Sequence, residues 1–164
     1  MEKDEAIKLL RTDVAKWNQY RKDNPTYLPD LSNADLHSAN LRNADLRHAD
    51  LCNANLRNAN LYNAYLHNAN LYNAYLCNAN LSYADLRNAD LRYANLCYAD
   101  LCNANLCNAD LHNANLAQPT LERQEYVYDL LQKKLESEQQ AIVILMNQVS
   151  KNYGDLEDKL LKGE

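Results

Sequence analysis

From Leu31 to Leu116 every fifth residue is leucine, eighteen in succession, and from Ala34 to Ala114 every fifth residue is alanine, seventeen in succession. A period of five fits neither regular element. On an α-helix five residues advance by about 500°, so successive leucines are displaced by roughly 140° and scatter round the cylinder. On a flat strand side chains alternate with period two, so an odd period sends successive leucines to opposite faces. A backbone that turns a corner within each pentapeptide removes the conflict. Every leucine and its companion alanine then face one axis, and the remaining positions face outward.

The turning chemistry is present although glycine occurs only at Gly154 and Gly163. Asparagine, common at the second position after leucine (Asn33, Asn43, Asn53, Asn58), tolerates positive φ and bonds its own backbone in turns. Coils stacked about 4.8 Å apart can satisfy one another's backbone groups, as in a parallel β-solenoid. Burying a leucine is worth roughly 1.5–3 kcal/mol before ordering costs, so a long leucine interior replaces an ordinary globular core.

The segments Ala34-Asp35-Leu36-His37-Ser38 and Ala44-Asp45-Leu46-Arg47-His48, with their successors, match the pattern A(D/N)LXX. Residues 29–118 thereby resemble the pentapeptide-repeat proteins. The resemblance implies an all-β solenoid, a right-handed quadrilateral β-helix with four pentapeptides to each square turn. At that count the repeats make about 4.5 coils and a rod roughly 22 Å long.

A solenoid exposes its core at both ends, and the flanking sequences differ from the repeat. In residues 1–28, Ile7, Leu10, Val14 and Trp17 fall at helical spacing before Asn24-Pro25, which predicts one capping helix over 3–23 with Trp17 as its plug. Residues 119–164 lose the repeat and are rich in Leu, Glu, Gln and Lys, which predicts a helical extension. As one helix, residues 121–161 would reach about 60 Å. Leu131, Leu135, Ile142, Leu145, Val149 and Leu156 follow alternating spacings of four and three, with Glu138 and Asn152 interrupting, and fit a homodimeric coiled coil. A break at residues 138–140 with a hairpin folded back over the end fits equally. In either arrangement the apolar run at residues 141–146 is a candidate dimer or partner contact.

Nothing in the repeats reads as an active site. Cys97, Cys102 and Cys107 follow leucines at five-residue steps, so on a square coil they face successive sides and cannot converge on one zinc. His37, His48, His67 and His112 are scattered among variable positions with no nucleophile held beside them. The aspartates preceding leucine sit on a convex surface with no cleft to shift their pKa. The expectation is a non-enzymatic chain without metal or cofactor. The family geometry stacks Cys77 and Cys97 within reach of a disulfide. Five cysteines and a charged amino terminus without an export signal predict a cytoplasmic protein with reduced surface thiols. The six-residue apolar run is too short to span a membrane, which takes about 20 residues.

The net charge of −5 divides into +1 for residues 1–28, −3 for 29–118 and −3 for 119–164, so direct nucleic-acid binding is not expected. The outward tyrosines Tyr62, Tyr65, Tyr72, Tyr75, Tyr83, Tyr93 and Tyr98 form a candidate partner surface, with Tyr65–Tyr83 and Tyr75–Tyr93 expected as diagonal neighbours. Stacked aromatics that only stabilise the solenoid are the other reading. Some members of the resembled family mimic B-DNA and bind DNA gyrase, and Asp30, Asp50, Asp90 and Asp110, with Asn70 between them, would form an acidic stripe. A duplex of the rod's length carries about 13 phosphates. The repeats carry only −3, with Arg42, Arg47, Arg57, Arg87 and Arg92 among the acids and no phenylalanine. The first reading is therefore a protein-interaction or scaffold module for an unidentified protein, and mimicry of DNA toward a type II topoisomerase is the second.

Overall fold

A computed structural model describes residues 1–117. Each pentapeptide turns one corner by the same local device. The alanine N–H donates to the leucine carbonyl three residues before it, as from Ala34 to Leu31 at 3.1 Å and from Ala64 to Leu61 at 3.0 Å. Within that turn the second residue after leucine has φ of 54–60° at every corner from Asn33 to Asn113. Asparagine was the expected carrier of this conformation, yet Ser38, His48, Tyr83, Tyr93 and Tyr98 adopt it too. The stacked coils impose the turn where the local residue does not favour it.

The residue before leucine completes the corner. Its side-chain oxygen accepts the N–H two residues on, as Asp50 does from Cys52 at 3.0 Å and Asn70 from Tyr72 at 3.1 Å. This Asx arrangement recurs along the rod and is why Asp and Asn are interchangeable there. Tyr65 and Tyr75 occupy the same position and have no carbonyl or carboxylate to offer.

Coils stack in parallel with a register of 20 residues. Four columns result: Asp30, Asp50, Asn70, Asp90, Asp110; Asp35, Asn55, Tyr75, Asn95, Asn115; Asn40, Asn60, Asn80, Asp100; and Asp45, Tyr65, Asp85, Asn105. Pairing is by single bridging residues rather than extended strands, because each side of the square is only one pentapeptide wide. Backbone groups on both sides of each leucine bond to adjacent coils, for example Leu31 N to Asp50 O at 2.7 Å, Asn33 N to Cys52 O at 2.8 Å and Asp50 N to Pro29 O at 2.8 Å. The leucines from Leu31 to Leu96 are fully buried, and those from Leu101 to Leu116 are 4–8 % exposed.

The expected single helix over 3–23 is two, α1 (Lys3–Thr12) and α2 (Val14–Asp23). Asp13 breaks it with φ −155° and ψ 83°, and its carboxylate accepts the Lys16 N–H at 3.0 Å to cap α2. The break folds the two helices onto the first coil. Ala6, Leu10 and Trp17 join the leucine core, while Ile7 and Val14 are only partly buried against it. The indole N–H of Trp17 donates to Asp45 O at 2.9 Å, and Asn18 bonds Asn43 O and Asp45 N at 2.9 Å each. Arg21, 5 % exposed, donates to Tyr27 O and to Arg47 O and lies 3.8 Å from the Asp45 carboxylate. The helical expectations for 119–164, including Leu131, Leu135, Ile142, Leu145, Val149, Leu156 and the homodimer through them, lie outside the described residues.

Candidate interaction surface

The 20-residue register decides what each outward side chain touches. Tyr62 meets Tyr83 at 5.3 Å between ring centroids, and Tyr72 meets Tyr93 at 5.4 Å. Tyr65–Tyr83 and Tyr75–Tyr93, expected as diagonal neighbours, lie across adjacent coils, but the ring contacts are made by Tyr62 and Tyr72. Tyr62 stacks in register on Ser82 and so leans on the next residue, whereas Tyr65 stacks on Asp85 past a buried alanine. Arginines cover the paired rings: the Arg42 guanidinium lies 4.4 Å from the Tyr62 centroid and that of Arg92 5.5 Å from Tyr72. Tyr65, Tyr72, Tyr75, Tyr83, Tyr93 and Tyr98 remain 37–52 % exposed, and Tyr62 is half-buried.

These tyrosines occur twice over. Residues 61–70 and 71–80 are identical except that His67 is matched by Cys77, and Tyr83 is matched by Tyr93 at the same ten-residue offset. Ten residues are half of a 20-residue coil, so Tyr62, Tyr65 and Tyr83 lie on the side of the rod opposite Tyr72, Tyr75 and Tyr93. Tyr98 follows Cys97, across the column of Cys77 and Cys97 from Tyr75.

Charge on the rod is largely paired locally. Three Asp-Leu-Arg triplets fold the arginine back over the leucine onto its own aspartate: Asp45 with Arg47 at 2.5 and 2.6 Å, Asp85 with Arg87 at 2.8 Å, and Asp90 with Arg92 at 2.7 and 2.8 Å. Burial pushes the Asp45 carboxyl up, but the Arg47 hydrogen bonds and the Arg21 charge outweigh it and hold the group below its ordinary value. Hydrogen bonds from Arg87 and Arg92 likewise depress Asp85 and Asp90. His67 Nδ1 also approaches Asp85 to 3.3 Å, and its ring packs edge-on to His48 at 5.6 Å. These triplets were visible in the sequence, where the arginines read only as interruptions of acidity.

The stripe of Asp30, Asp50, Asp90 and Asp110 forms one column with Asn70 in its centre. Cations reach most of it. Lys3 bonds Asp30 at 3.2 Å, and Arg92 lies 3.6 Å from Asp110 while pairing with Asp90. The Ser32 hydroxyl and N–H and the Lys3 ammonium hold the Asp30 carboxyl at about 2. Asp50 accepts the Asn70 amide at 2.9 Å. Among the described residues, no three His, Cys, Asp or Glu side chains converge as metal ligands, and no helix is long and apolar enough to cross a membrane.

Cys77 and Cys97 are joined by a disulfide with their Cα atoms 4.7 Å apart, in place of the expected reduced thiols. The coil register alone brings them together.

The pentapeptide-repeat family model matches residues 30–68, 59–96 and 84–118, in eight copies. The chain belongs to the pentapeptide-repeat family. Members of this family form right-handed quadrilateral β-helices, and the columns described above share that architecture. The pentapeptide-repeat rod is similar to a pentapeptide repeat protein of the cyanobacterium Cyanothece 51142, with 40% identity over 53% of this chain and 60% of that one and a TM-score of 0.51. The match therefore spans less than two thirds of that protein's length. A pentapeptide repeat protein of the Arabidopsis thaliana thylakoid lumen matches at 24% identity over 65% of this chain and 79% of that one, with a TM-score of 0.34. HetL of Nostoc, a pentapeptide repeat protein involved in heterocyst differentiation regulation, matches at 28% identity over 53% of this chain and 59% of that one, with a TM-score of 0.20. Comparison with curated protein sequences gave no match.

Proposed function

We propose that this pentapeptide-repeat rod is a non-enzymatic protein-interaction or scaffold module, and that its partner is another protein. One observation carries the reading: exposed tyrosines recur on two opposite sides of a backbone held by coil-to-coil hydrogen bonds. Tyrosine offers a large contact area at small conformational cost, and a rigid ladder adds little ordering cost on binding. On this reading the two sets engage two copies of one partner, and the leucines of residues 119–164 supply a homodimer contact.

The test is capture from native lysate with the full chain and with the variant Tyr65→Ala/Tyr75→Ala/Tyr83→Ala/Tyr93→Ala. A partner retained by the first and lost by the second supports the surface, since a single anchoring aromatic is worth about 2 kcal/mol, or roughly thirtyfold in Kd. Equal capture by both rejects it. Light scattering on the full chain reports the dimer, and a monomer mass removes that part.

The second reading, mimicry of DNA toward a type II topoisomerase, has the acidic column in its favour and the pairing of that column with Lys3 and Arg92 against it. Inhibition of gyrase supercoiling at stoichiometric protein would reverse the order.

A further inference from the structure

Of the five cysteines, Cys77 and Cys97 alone stack in one column. The in-register neighbours of Cys52, Cys102 and Cys107 on the described coils include Tyr72, Ser82 and Arg87. Both cysteines take the outward position after leucine, Cys77 partly exposed and Cys97 buried at 9% exposure. In the coil preceding Cys77, the register places Arg57 in the same column, with Asn58 N donating to Cys77 O at 3.0 Å. The flanking positions are Asn55, Tyr75 and Asn95 on one side and Asn58, Asn78 and Tyr98 on the other, none of them a carboxylate. A cation stacked beside Cys77 favours its thiolate, the second of the two groups released in an exchange that begins at Cys77.

We propose that Cys77 and Cys97 form a thiol–disulfide exchange site for a dithiol reductant, opening and closing a covalent link between successive coils. A thiolate of the reductant attacks the more exposed Cys77 Sγ, forms a mixed disulfide and releases Cys97 as a thiolate. The second sulfur of the reductant then attacks its own sulfur in that mixed disulfide and releases Cys77. Two electrons pass from dithiol to cystine, its two protons end on Cys77 and Cys97, and the reductant leaves as a disulfide. The open form keeps the backbone bonds Leu76 N to Asn95 O at 2.7 Å and Asn78 N to Cys97 O at 2.9 Å.

The experiment equilibrates the full chain without denaturant in oxidised or reduced dithiothreitol, quenches with acid, unfolds it and alkylates the thiols for intact mass. Three alkyl groups are expected from the oxidised buffer and five from the reduced one, with both additions mapping to Cys77 and Cys97 and a return to three on reoxidation. Cys77→Ser is expected to carry four in both buffers. Five groups in oxidised buffer would overturn the proposal, as would a cystine that yields only to reductant plus denaturant or additions that map elsewhere. The counts are independent of whether the tyrosines bind a partner.

Discussion

At each corner a single residue with positive φ lets the chain turn inside five residues. Asn68, exposed and at φ 58°, is the plainest case. Asn68→Ala is expected to destabilise the rod by about 1 kcal/mol, because a Cβ without asparagine's local hydrogen bonding is disfavoured in the left-handed region. Asn68→Gly removes that penalty and is expected to lie closer to wild type. Urea midpoints of the two variants check the order, and an alanine variant as stable as wild type refutes it. The turning role of asparagine was legible in the sequence because its chemistry is local. That Tyr83, Tyr93 and Tyr98 take the same backbone was not, since nothing in a tyrosine favours it and only the stacked coils enforce it. The duty of the Asp or Asn before leucine was half legible: its place on a convex outer surface could be read, but not which N–H it accepts.

Between residue and rod stands the helical pair over the first coil. Leu10 and Trp17 were legible as its buried contacts because apolar side chains at helical spacing mark a face. The break at Asp13 was not, since one aspartate inside a run of helical spacing reads as exposed helix, and only the resulting pose of α2 on Asn43 and Asp45 gives it a purpose. Trp17→Ala is expected to cost about 3–5 kcal/mol, because the indole is wholly buried and the carbonyl of Asp45 loses its donor. Ile7→Ala, at a partly buried position, is expected to cost less. Chemical unfolding of both variants compares them, and a Trp17→Ala loss no larger than that of Ile7→Ala would show that the helices contribute little to the first coil.

For the whole rod, the acid limit of stability follows from its paired carboxylates. Asp30, Asp45, Asp85 and Asp90 are all held below the ordinary carboxylate value of about 4. A depressed folded-state pKa contributes stability that is fully present above the unfolded value and is lost as pH falls through the folded one. The urea midpoint is therefore expected to hold between pH 7 and about 5 and to decline below about 4 toward 2. A midpoint unchanged down to pH 2 would remove these pairs from the account. The winding itself was readable because period five excludes helix and strand alike, but the pairing of Tyr62 with Tyr83 depended on knowing where in a side each residue lies. Because one storey holds twenty residues and one side holds five, length and orientation are separable in such a molecule. Excising twenty residues would shorten it by a storey and leave every remaining column aligned, whereas excising five would rotate everything downstream by a quarter turn against α1 and α2.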